Sequence, residues 1–210
     1  MKKELNRIHN VFGIVLLIST LLISPTEASE IKSPKNSDQN CVLELRELML
    51  SFAQKKSKSA RFKEEKFLSF LEQPLKSEGT LHFRAPDYLE KNITKPQKEQ
   101  LVVENEIVKI VDQQGMSRTF SLDDYPPLKE LLNGLRYTLL GKLESLEQYY
   151  ELTLNGNCQQ WNLILVPKSN STMDFIERII FLGEKDNIEK ITWVETNGDF
   201  TVMTIEKGNL

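Results

Sequence analysis

At 210 residues the chain has room for one domain with a sizeable core, and a formal charge of −3 at pH 7 excludes the broad basic footprint of a nucleic-acid or anionic-membrane binder. Two cysteines and two histidines are too sparse for a zinc or copper centre, so no metal and no cofactor is expected.

Residues 1–28 read as an export signal. Lys2, Lys3 and Arg7 form a basic start, residues 11–23 an apolar run, and Thr26 and Ala28 supply the small residues that precede cleavage. As a helix the run rises only ~20 Å against a ~30 Å hydrocarbon core, which argues against a retained membrane anchor. No cysteine directly follows it, so nothing marks the exported protein for lipidation. The signal holds three bases and two acids, and its loss takes the formal charge from −3 to −4. Disulfides persist outside the cytosol. Cys41 and Cys158 are therefore either bridged, closing a loop worth about 4–5 kcal/mol in chain entropy, or two free thiols.

Residues 29–40 are polar and read as a flexible leader, with the folded domain over 41–210. Leu45, Leu48, Met49 and Phe52 recur at three- and four-residue spacing and predict an amphipathic helix of about four turns over residues 41–54, capped by Asp38 or Asn40. The basic residues 55–60 predict a solvated linker. Strands follow. Phe62, Leu68 and Phe70 alternate with polar neighbours, and Leu81 and Phe83 alternate with Thr80, His82 and Arg84, the two-residue period of a sheet with one apolar face. In the next strand Leu89, Lys91 and Ile93 share one face and Tyr88, Glu90, Asn92 and Thr94 the other. Residues 100–103 and 107–111 are two more strands split by a tight turn at Glu104-Asn105-Glu106, and residues 116–122 add another.

Asp123 and Asp124 ahead of Pro126-Pro127 predict a capped helix start. The helix carries Leu128, Leu131, Leu132, Leu135 and Leu139 on one stripe and stops at Gly141, while Gly134 inside it, at a propensity cost of ~1 kcal/mol, makes the element movable in principle and reads first as a close packing contact. Residues 149–154 and 161–166 frame Asn155-Gly156-Asn157 as a tight hairpin turn. Residues 174–182, 188–194 and 200–205 give three more strands, joined around Gly183 and at Asn197-Gly198-Asp199. The expected fold class is mainly β (α+β), with nine to eleven antiparallel strands interrupted by two helices.

Catalytic patterns are sparse. Without the signal His82 is the only histidine, and no CxxC, HExxH, GxSxG or GxxxxGK[ST] pattern occurs. His82 reads as an exposed strand residue rather than the base of a triad. Glu64-Glu65 and Asp123-Asp124 read as a solvated strand face and a helix cap rather than the paired carboxylates of a glycosidase. No catalytic residue is assigned, and the chain is read as a non-enzyme.

Several features then run in a telling order. An amphipathic helix precedes Phe62 and Glu64 in a first strand; Gly79-Thr80-Leu81-His82-Phe83-Arg84 leads into a proline; Leu89, Pro96, the strand at 101–103, a late helix and final strands near Gly198-Asp199 follow. Over roughly residues 41–207 this resembles the periplasmic outer-membrane lipoprotein carriers of the LolA type. The resemblance implies an incomplete antiparallel barrel whose apolar concave face is covered by helices and holds the acyl chains of a lipidated passenger. It also implies a soluble periplasmic protein that takes a lipoprotein or other acylated lipid from an inner-membrane export complex to an outer-membrane acceptor, with no nucleic-acid partner. Leu81, Phe83, Leu89, Ile93, Leu101 and Val103 would line the sheet side of the cavity, and Leu128, Leu131, Leu132, Leu135 and Leu139 the helix side.

Two positions depart from the family pattern. The arginine directly before the proline is Ala85 here, with Arg84 one residue earlier and therefore on the opposite face, so whether Arg84 controls release stays open. The aromatic two residues after Leu89 is Lys91. Both departures point to a branch whose cargo is another lipid or lipid-linked product. The alternative is an envelope adaptor of the same fold, its core closed, that docks on a membrane complex.

Overall fold

The computed structural model describes residues 43–206. Eleven strands make one antiparallel sheet: β1 (Ser57–Phe67), β2 (Leu75–Arg84), β3 (Tyr88–Lys95), β4 (Glu99–Glu104), β5 (Ile107–Val111), β6 (Ser117–Ser121), β7 (Tyr150–Gly156), β8 (Trp161–Pro167), β9 (Ile176–Glu184), β10 (Asn187–Glu195) and β11 (Phe200–Glu206). Their spatial order, β6-β5-β4-β3-β2-β1-β11-β10-β9-β8-β7, describes two meanders joined where the first strand pairs with the last. Phe62 lies opposite Ile205 and Glu64 opposite Met203 at that seam. The ladder does not close, so β6 and β7 are its two edges.

The chain linking those edges is helical. A 3-10 turn (Leu122–Asp124) leads into α2 (Pro126–Leu140) and α3 (Leu143–Tyr149); α1 (Leu45–Ala53) precedes the sheet, and the one-turn α4 (Asn170–Met173) sits between β8 and β9. An incomplete antiparallel barrel with helices on one face is thus the fold.

The core has two parts. On one half of the sheet Leu163, Leu165, Ile179 and Phe181 bury Leu48, Met49 and Phe52 of α1, Leu131 of α2 and Leu143 and Leu146 of α3. On the other half Phe83, Leu89, Val103, Val108, Ile110 and Leu122 form a second cluster under α2. Leu128 and Leu135 pack against both, so α2 joins them.

Several local expectations are corrected. The first helix is shorter at its start, since Leu43 and Glu44 are not helical, and Asp38, Asn40 and Cys41 lie outside the described residues. Four of the six residues of the predicted linker at 55–60 are strand: Ser57 to Ala60 pair with Arg84 to Leu81, and the Ala85 N–H donates to the Lys56 carbonyl at 2.8 Å, so ladder pairing overrides a polar composition. Strand β1 ends at Phe67, which stacks on Phe200 with centroids 4.4 Å apart, and Phe70 is in the following turn at 71% exposure. Neither aspartate caps α2. They belong to the 3-10 turn, where the Asp123 N–H donates to the Ser121 hydroxyl and the Leu122 N–H to the Glu106 carbonyl, while Pro126 and Pro127 open α2. Asn155 and Gly156 are ladder residues paired with Asn162 and Trp161; the turn is at 157–160, where the Asn157 side chain accepts from the Gln159 and Gln160 N–H groups. Gly183 is likewise inside β9, where a Cβ would meet the Trp161 ring at 2.2 Å. The expected count of two helices omitted α3 and α4.

Candidate functional site: the helix-covered face of the sheet

Register decides which side chains meet on the covered face. Ala60, Leu81, Lys91, Leu101 and Ile110 lie opposite one another across β1 to β5. Two residues to one side runs a row of Lys58, Phe83, Leu89, Val103, Val108 and Phe120, and to the other side a row of Phe62, Gly79, Ile93 and Glu99. Strand side chains alternate, so all three rows face the same way. The row through Phe83 and Val103 packs beneath Leu132, Leu135 and Leu139 of α2, which identifies that side as the covered one.

Cover is uneven along it. Phe83, Leu89, Val103 and Val108 are buried, and so are Phe62 and Ile93, but Ala60, Leu81, Lys91 and Leu101 between them are only half-buried. A shallow trough of half-covered side chains therefore runs from Ala60 to Leu101, which packs against the second cluster, and ends at Ile110, which is buried.

That trough is not wholly apolar. Lys91 donates to both carboxylate oxygens of Glu64, at 2.8 and 2.7 Å, and its ammonium lies 5.1 Å from the Phe62 ring centroid. Ser77 donates to Glu64 Oε1 at 3.3 Å. Side-chain exposures of 24% for Lys91 and 16% for Glu64 leave the pair reachable yet largely out of water. Glu99 is on the same face. Burial pushes its carboxyl above the usual range, against the pull of Lys91 and Arg118 and with a further push from Asp112. Lys66, farther along β1, pairs with Glu195 at 3.8 Å. At the opposite end Lys58 lies 5.1 Å from the centroid of the Phe52 ring of α1; burial, then the neighbouring Lys55, lowers its pKa to about 8, while Asp186 pulls the other way.

The covering helix α2 is held on all sides. Gly134 lies against Tyr150, where a Cβ would meet the phenol oxygen at 2.8 Å, and the Tyr150 hydroxyl donates to the Glu130 carbonyl at 2.9 Å. Glu130 Oε2 accepts from Ser169 at 2.6 Å and from Thr172 of α4 at 2.7 Å. Arg136, its side chain 5% exposed, donates to Glu106 Oε1 at 2.8 Å and to Asn133 Oδ1 at 3.3 Å. Its Nε and Nη2 are buried without a hydrogen-bond partner among the described residues. Glu106 itself sits in the β4–β5 turn at φ 62°, a left-handed conformation that usually selects glycine or asparagine.

The predicted lining residues are thus sorted. Leu81 and Leu101 face the half-covered trough; Phe83, Leu89, Ile93 and Val103 are buried beside it; Leu128, Leu131, Leu132, Leu135 and Leu139 all pack into the two clusters. Arg84 faces away from the helices, paired with Glu104 at 3.2 Å and stacked 4.5 Å from the Tyr88 ring centroid. His82 is half-buried on that outer face rather than exposed. Ser59 lies 2.6 Å from its Nδ1, and the Glu90 carboxylate opposite is taken up by Tyr88, Asn92 and Gln100. Cys158 is disulfide-bonded rather than a free thiol. Glu64, Lys91, Glu106, Glu130 and Arg136 were not predicted as site residues. Lys91 was placed on the lining face with Leu89 and Ile93 but without a partner, and the polarity of the other four reads as solvent-facing until cross-strand register and the burial of α2 are known.

The family model for outer membrane lipoprotein carrier protein LolA-like matches residues 33–208. Among solved structures, a LolA superfamily protein from Nitrosomonas europaea is 8% identical, with a TM-score of 0.45 over 80% of this chain and 96% of that one. A DUF1329 family protein from Desulfovibrio piger is 11% identical, with a TM-score of 0.40 over 78% of this chain and 90% of that one. A chain in the complex of the CwlD amidase with the GerS lipoprotein from Clostridioides difficile is 9% identical, with a TM-score of 0.42 over 86% of this chain and 99% of that one. No curated protein sequence matches.

Proposed function

Because the chain belongs to the outer membrane lipoprotein carrier protein LolA-like family, we propose that it is a non-enzymatic periplasmic carrier that holds acyl chains against the helix-covered face of its sheet. The observation that supports this most is that Ala60, Leu81, Lys91 and Leu101 are half-covered between the buried Phe83, Leu89 and Val103 on one side and Phe62 and Ile93 on the other, with the row closed by buried Ile110. A closed core would bury Leu81 and Leu101 as completely as Val103. Each methylene moved from water into such a trough contributes ~0.8 kcal/mol, so a chain of about sixteen carbons gains roughly 12 kcal/mol before the costs of ordering it. No catalytic group is needed for that. The export signal at residues 1–28 delivers the protein to the periplasm, where an inner-membrane export complex loads it and an outer-membrane acceptor unloads it. In this reading Cys41 and Cys158 pair, tying the start of the domain to the β7–β8 turn.

Native mass spectrometry of the exported form, purified without detergent and followed by lipid extraction, tests the reading. Stoichiometric lipid or acyl product is the expected result. An empty protein that also gains no thermal stability from phospholipid or lipoprotein overturns it in favour of an adaptor with a closed core.

A further inference from the structure

We propose that Lys91 and Glu64 form a polar subsite within the trough that takes the zwitterionic head group of a membrane lipid while its acyl chains lie along Leu81 and Leu101. This rests on the carrier reading and names its cargo. Lys91 is opposite both Leu81 and Leu101 in the ladder, so a head group on Lys91 and a chain on its two neighbours belong to one ligand.

The charges of this face come in opposed sets. Lys91 is bound to Glu64, Lys66 is paired with Glu195, and Glu99 shares the face with Lys91 and Arg118. A lipid with a net negative head would satisfy Lys91 but leave Glu64 and Glu99 facing it uncompensated. A purely apolar cargo would strand the pair beneath it, and removing ions from water costs more than their attraction returns unless their remaining bonds are met. A head group carrying one phosphate and one ammonium meets both demands. Lys91 spends two N–H donors on Glu64 and has a third for a phosphate oxygen; Glu64 Oε2 accepts only from Lys91 among the described hydrogen bonds and has room for a ligand ammonium. The single ion pair becomes a four-membered alternation of charge.

The test loads the exported protein from vesicles of equimolar phosphatidylethanolamine and phosphatidylglycerol with identical acyl chains, re-isolates it, and measures bound lipid by mass spectrometry. The wild type is expected to enrich phosphatidylethanolamine by ~tenfold, the discrimination of one charge-assisted hydrogen bond. The double variant Glu64→Leu/Lys91→Leu, which keeps the net charge and removes the pair together, is expected to lose the enrichment, so that whatever it loads is at the vesicle ratio. Wild-type loading at the vesicle ratio, or enrichment undiminished in the double variant, overturns the subsite while leaving the carrier reading intact. Loading of neither lipid overturns both.

Discussion

Gly134 and Tyr150 show how one missing side chain positions a helix. The Tyr150 ring occupies the space a Cβ would need, and its hydroxyl then satisfies the Glu130 carbonyl inside the core. Gly134→Ala is predicted to lower stability by about 1–3 kcal/mol in urea denaturation, because Tyr150 is buried and has nowhere to retreat. That something packs closely here was legible in the sequence, from a helical glycine on a leucine-rich stretch; that the neighbour is Tyr150 was not. Lys58 was not legible, since the run that contains it reads as linker until β1 pairs with β2. Its folded pKa, about 8, is below the unfolded value of 10.5, so between those limits the unfolded chain binds the proton that the folded chain lacks. Stability from this group therefore rises with pH through that window, and its penalty is full below pH 8. Lys58→Met is predicted to be more stable than wild type at pH 7, with the advantage shrinking toward pH 10.5 in paired denaturation curves.

At the scale of elements, α2 is the keystone between two apolar clusters and, on the carrier reading proposed above, the piece that yields when cargo enters. Its leucine stripe, its proline start and its left-handed stop at Gly141 follow from the sequence. Its opposite face does not. Glu130, Asn133 and Arg136 have the spacing of a solvated face, yet all three are buried: Ser169 and Thr172 at α4 bond Glu130, while Glu106 of the β4–β5 turn and Asn133 take up Arg136, and a one-turn helix such as α4 carries too little periodicity to be foreseen. The same limit explains the displaced turn at 157–160, where Asn157 supplied a side-chain acceptor that competed with Asn155-Gly156. Glu106 holds Arg136 from the rim of the sheet. Removing one partner of a pair that is buried on the arginine side but one-third exposed on the glutamate side weakens the hold on the cation, so Glu106→Gln is predicted to destabilise by about 1.5 kcal/mol. Hydrogen exchange should then quicken across α2 more than across β8 and β9. Equal quickening everywhere would mean that the pair supports the whole fold rather than the cover.

For the whole molecule, two meanders meet at β1 and β11, and the helices span from one open edge to the other. The period-two pattern identified most of the strands and the residues of the inner rows, which is why the lining was readable strand by strand. It did not reveal that Lys91 meets Glu64 across two strand boundaries, because that requires register between β1, β2 and β3. The central claim is that acyl chains lie on the helix-covered face and nowhere else on the sheet. Its most direct test places a photoreactive benzoylphenylalanine at Leu81, Leu101, His82 or Val102, loads each protein from phospholipid vesicles, irradiates, and weighs the products. Lipid adducts at positions 81 and 101 with none at the outward-facing 82 and 102 are predicted. Adducts equally on both faces, or none at 81 and 101 in a protein that has taken up lipid, would contradict the account.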